Sequence, residues 1–142
     1  MANVKKRNTY VYVVVDTKNI KVGDIDANVD LSDNWGGSYT IPNDPESFSS
    51  KIGMGKNITW CAIVKDAKKN PKDTVTINKI SRKSDNGGAK ILKQISDPTL
   101  DQSGVVIGKA KNSKVVGEEN YYIIIEVNGK DKYTIDPKMR MP

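Results

Sequence analysis

Asp24, Asp26, Asn28 and Asp30 alternate along one short stretch, with Asp33 three residues further on. Carboxylate and amide oxygens at that spacing are what a hard divalent cation takes from a single turn, and the stretch matches the opening of a calcium loop. The pattern then breaks. Val29 occupies the position where such a loop turns on glycine, and Trp35 stands where a bidentate glutamate closes it. Asp24, Asp26, Asp30 and Asp33 keep two readings, a calcium site of another design or solvated acids of a turn. Residue type favours the second, because Asp and Asn form turns unaided.

A second group of interest is aromatic. Trp35, Tyr39 and Phe48 lie in a segment rich in Asp, Asn, Ser and Gly rather than in a strand pattern. Rings in polar loops stack on a glycan or anchor an interface; otherwise they plug the open end of a sheet. Gly53-Met54-Gly55-Lys56 matches a fragment of a phosphate loop, but the rest of the pattern and the helix that should follow it are missing, so a loop into the next strand is expected. Cys61 has no histidine or arginine near it in sequence to stabilise a thiolate and reads as a half-buried filler.

The chain has no histidine and one cysteine in 142 residues. Those counts exclude Ser-His-Asp and Cys-His nucleophilic sites, histidine metal centres, zinc fingers and internal disulfides. Paired-carboxylate hydrolysis would need two acids singled out from 17, and the spacing singles out none. The expectation is a non-enzyme without a cofactor.

The elements that must position these groups are strands. No window keeps apolar residues at i, i+3, i+4 and i+7 with good helix formers, which predicts an all-β protein. Thr9 to Asp16, with Tyr10, Tyr12, Val13, Val14 and Val15, predicts a central strand buried on both faces. Thr17 to Ser50 reads as a loop-rich excursion with one short strand near Asn28–Leu31. Asn57 to Lys65 alternates through Ile58, Trp60, Ala62 and Val64, placing Trp60 in the core and Cys61 on the opposite face. Thr74 to Ser81 alternates until Ile80 falls out of phase, which predicts a bulge near Asn78.

Ser84 to Gly88 reads as a turn. Ile91, Leu92 and Ile95 suit a strand or one helical turn, and Gly104–Lys109 and Val115–Gly117 suit strands. Asn120–Val127 and Lys130–Asp136 flank Asn128-Gly129, whose types accept the two positive-φ positions of a type I′ turn and so predict a C-terminal hairpin. The sum is a single-domain antiparallel β-sandwich of seven or eight strands over residues 9–142, behind a basic tail at residues 1–8.

The formal net charge of +6 is unevenly spread, since residues 9–46 hold two lysines against seven acids. That split suits copies attracting one another, acidic segment to basic remainder. Only Arg7, Arg82 and Arg140 are arginines among 23 cations, which argues against specific nucleic-acid binding, where forked guanidinium contacts dominate. The apolar run after the polar N-terminus is too short for a signal peptide or a membrane span. Cytoplasm is the expected compartment, with signal-less secretion as the alternative.

Three places in the sequence carry a family likeness. Tyr12-Val13-Val14-Val15-Asp16-Thr17-Lys18-Asn19-Ile20, Ile58-Thr59-Trp60 after Gly55-Lys56-Asn57, and Tyr121–Val127 followed by Tyr133-Thr134-Ile135-Asp136-Pro137 together resemble the opening strand, middle strand and terminal hairpin of the AidA/PixA family of bacterial inclusion-body-type proteins. Ile135 departs from the tryptophan common there, and the central loops are shorter. The resemblance implies an intracellular β-sandwich whose partner is itself, in an oligomer, lattice, fibre or inclusion. It implies no catalytic residue. A glycan- or ligand-binding module using Trp35, Tyr39 and Phe48 is the alternative.

Overall fold

The computed structural model describes residues 7–83, 88–96 and 104–142. Among them the chain forms eleven strands: β1 (Thr9–Val15), β2 (Val29–Asp33), β3 (Ser38–Tyr39), β4 (Phe48–Lys51), β5 (Asn57–Val64), β6 (Val75–Arg82), β7 (Leu92–Ile95), β8 (Val106–Ala110), β9 (Glu118–Val127), β10 (Asp131–Ile135) and β11 (Lys138–Arg140). Two single turns of 3-10 helix, Asp26–Asn28 and Pro45–Ser47, are the only helical pieces described. One sheet has the order β2-β1-β5-β8-β7. In the other, β9 carries β6 on one side and β10 then β11 on the other, and β11 leads on to β4 and β3.

The expected sandwich is present, with more strands than the seven or eight read from sequence. The extra ones, β3, β4, β7 and β11, have two to four residues each, too few for a period of two to register. Two pairings are parallel rather than antiparallel: β1 with β5, and β4 with β11. Parallel neighbours need a long crossover. For β1 and β5 the crossover is the loop-rich excursion, which delivers β2 to one sheet and β3 and β4 to the other before returning.

β1 is central, as its composition predicts, but buried on one face only. Thr9, Val11, Val13 and Val15 are inaccessible, whereas Tyr10 is 42% exposed and Tyr12 and Val14 are half-buried. Valine and tyrosine suit a pleated strand whether or not the outer face is covered, so composition overstated the burial. Val115 and Val116 form no strand; Val116 is exposed in the loop before β9. Ile91 precedes and Leu92 opens β7, which settles that segment as a strand. The expected bulge falls between Ile77 and Lys79. The Ser84–Gly88 turn lies, apart from Gly88, outside the described residues, as does most of the basic tail.

Trp60 lies at the junction of the sheets. Fully buried, it donates from Nε1 to the Tyr121 hydroxyl on β9 at 3.1 Å, with ring centroids 5.6 Å apart. Gly108 on β8 makes room for it, because a Cβ there would fall 3.1 Å from the indole and 3.2 Å from Leu92. Around this pair Val11, Val13, Leu31 and Val106 of one sheet meet Phe48, Ile77, Ile123, Ile125 and Met139 of the other. The C-terminal hairpin turns on Asn128 (φ 56°) and Gly129 (φ 64°), both in the left-handed region. Asn128 also exchanges hydrogen bonds with Thr74, its side chain accepting from the amide and its own amide donating to the carbonyl, each at 2.8 Å.

Candidate functional site

The four aspartates of the calcium reading are drawn apart by the elements that hold them. Asp26 starts a 3-10 turn, and Asp30 projects outward from β2. Asp33, at the end of β2, accepts through Oδ1 from the amides of Trp35 (2.8 Å) and Gly37 (2.7 Å). Asp24 contributes its carbonyl to the Asn28 side chain at 2.8 Å. Asp33 lies three positions beyond Asp30, so a strand's period of two sends their side chains to opposite faces. Among the described residues no three acids or thiols converge on a point where a metal ion could sit. Asp26 lies near Asp44 and Asp136 instead, and partial burial, reinforced by those charges, pushes its carboxyl above its ordinary value.

Of the aromatic trio, Trp35 and Phe48 are buried and Tyr39 is half-buried. Phe48 is 1% exposed and packs on Tyr39 at 5.2 Å between centroids. Trp35 is 8% exposed, with the Arg7 guanidinium 5.7 Å from its ring. Tyr39 accepts from the Leu31 amide at 2.6 Å and donates to Asp30 at 3.3 Å, and burial pushes its phenol up to about 12. That amide points away from β1, so the hydroxyl caps a donor on the free edge of β2. Polar neighbours in sequence could not reveal this, because Phe48 joins the core cluster through the fold and Tyr39 packs against it.

Gly53–Lys56 is a tight turn into β5, with the Lys56 amide on the Gly53 carbonyl at 3.0 Å. Cys61 is half-buried on the outer face of its sheet, and desolvation pushes its thiol up, the opposite of nucleophile activation.

Two features escaped the sequence reading. Glu119, 2% exposed, accepts from Arg82 Nε at 2.8 Å through Oε2 and from the amides of Ile91 (2.6 Å) and Leu92 (3.0 Å) through Oε1. Arg82 Nη1 donates to the Leu92 carbonyl at 2.8 Å. This network clamps the start of β7 onto β9, with both Glu119 oxygens engaged by protein donors. The phase of β9 carries the signal for it, since Glu119 shares the buried parity of Tyr121, Ile123 and Ile125. The other feature is the outer face of the β2-β1-β5-β8-β7 sheet, where Tyr10, Tyr12, Val14, Cys61, Ile63 and Ile107 lie in neighbouring strands with no covering layer among the described residues.

A two-sheet β-sandwich with a closed core, a buried ion-pair clamp and an uncovered apolar sheet face is the class of protein these observations define. No protein-family model matches the sequence, and no curated protein matches it. Among solved structures, the inclusion body protein PixA from Burkholderia cenocepacia matches over 100% of both chains, with a TM-score of 0.63 and 12% sequence identity. The fold is therefore that of the PixA inclusion body protein, in keeping with the resemblance carried by the three sequence segments.

Proposed function

We propose that this chain is a non-enzymatic bacterial protein whose copies self-associate in a structural or storage-like role, within the cytoplasm. The observation that carries the reading is the end-to-end fold likeness to an inclusion body protein. The residue chemistry supports it: the chain has no histidine, the Cys61 thiol is pushed up rather than activated, and both oxygens of the buried Glu119 are held by protein donors. Glycan binding by loop aromatics is not favoured, since Trp35 and Phe48 bury their rings. Among the described residues no helix is long and apolar enough to cross a membrane. The test is mass by light scattering at low and high salt, with electron microscopy of the same sample. Oligomers or particles that grow with concentration are expected; a monomer at every concentration and salt overturns the proposal.

A further inference from the structure

We infer that copies of this chain meet through the outer face of the β2-β1-β5-β8-β7 sheet, with a second copy of the same chain as the occupant. The inference rests on the self-association reading and names the surface that would serve it. Strand register places the residues. Tyr10 aligns with Thr59, Tyr12 with Cys61 and Val14 with Ile63 across β1 and β5; Thr59 aligns with Ile107 on β8; Ser32 and Asp30 on β2 align with Tyr12 and Val14. Because aligned residues share a face, these side chains form one continuous surface opposite the core. Tyr10, Ile63 and Ile107 are 42%, 43% and 46% exposed there. Val22, Ile41 and Val116 are exposed elsewhere but belong to separate loops. A clustered apolar face marks an interaction site, where scattered apolar residues do not.

Charge placement selects a second copy as the occupant. On β2, β1, β5 and β8 the charged residues projecting from this face are Asp30 and Lys109, and β7 adds exposed Lys93 at the bulge opposite Lys109. The first two lie at opposite corners, Asp30 level with Val14 and Lys109 level with Asn57. A two-fold axis running along the other diagonal sets Asp30 of each copy over Lys109 of its mate, twice, with the strands of the two sheets crossing steeply. The face is then self-complementary, as a closed dimer contact requires. Its centre is Tyr12 beside Cys61. Size sets the strength of the contact. At about 4.8 Å between strands and about 3.3 Å per residue, the face from β2 to β8 covers roughly 400 Å² in plan. That places it at the low end of specific interfaces, so the contact should be concentration-dependent rather than obligate.

Sedimentation of the full chain over a range of concentrations tests this, with folding of each variant checked by circular dichroism. Ile63→Lys and Ile107→Lys should each weaken association at least tenfold, and Val116→Lys should leave it unchanged. Asp30→Lys should weaken it, and adding Lys109→Asp should restore it. Cys61 gives a readout without mutation: its alkylation by a maleimide should slow as wild-type concentration rises. Wild-type association that the face variants leave intact overturns this surface while self-association stands. A Cys61 rate that is the same at every dilution also overturns it, including the case where the chain's own residues cover the face. A wild-type chain that stays monomeric throughout overturns both.

Discussion

Glu119 is a buried acid whose two oxygens are held by Arg82 Nε and by two backbone amides. Removing one partner of such a pair leaves a charge and two amides uncompensated, which costs about 3–5 kcal/mol when burial is complete. The Arg82 side chain is a third exposed, so Glu119→Ala should cost about 3 kcal/mol, at the lower end of that range, read as a fall in urea midpoint. Two aspartates respond to pH in opposite senses. Asp16 is held below its ordinary value, chiefly by the hydrogen bond from the Asn19 side chain. Its contribution to stability is present above the unfolded value and is lost as pH falls through the lowered folded one. Asp26 is pushed up by partial burial and by Asp44 and Asp136, so the folded state holds its proton more tightly and gains stability as pH falls. Asp26→Asn should therefore raise Tm at pH 7, and the advantage should shrink as pH falls through the raised folded value and be gone below about pH 4. At this scale Trp60 was legible, because clean alternation gave its direction. Glu119 was not, since a buried acid reads as a solvated one until its partners are known.

Among the elements, the edge of β2 shows how the sandwich controls its own growth. An open strand edge templates pairing with another chain. Here the Tyr39 hydroxyl, delivered by β3 of the opposite sheet, occupies the outward amide of Leu31. Tyr39→Phe should leave that amide without a protein partner, costing about 1 kcal/mol by chemical denaturation. The terminal hairpin depends on backbone geometry instead. Gly129→Val places a β-branched residue at φ 64° and should destabilise by about 1–2 kcal/mol, seen as a lowered Tm. The hairpin was legible because Asn-Gly is a local code. β3, β4 and β11 were not, because strands of two to four residues are too short to show a period and exist only through their pairing, β4 with β11 from the far end of the chain and β3 with β4.

For the whole molecule, the acidic 9–46 segment and the basic remainder bear on association through salt. If the Asp30 and Lys109 corners meet, raising ionic strength from about 0.05 M to 0.5 M should weaken association without abolishing it, because screening removes exposed charge pairs and leaves apolar contact. Light scattering across that range checks it. The sequence alone determined the all-β class, the inward Trp60, the bulge near Asn78, the turn at Asn128-Gly129 and the exclusion of histidine chemistry. Each follows from a residue's own preference or from a period of two, which are local. Only the tertiary structure decided that β1 and β5 run parallel, that Trp35 and Phe48 turn inward, that the aspartates from Asp24 to Asp33 do not converge, and that no described residue covers an apolar sheet face. Those outcomes depend on which distant strands become neighbours and on how many layers are present to cover a sheet, and no single segment encodes either.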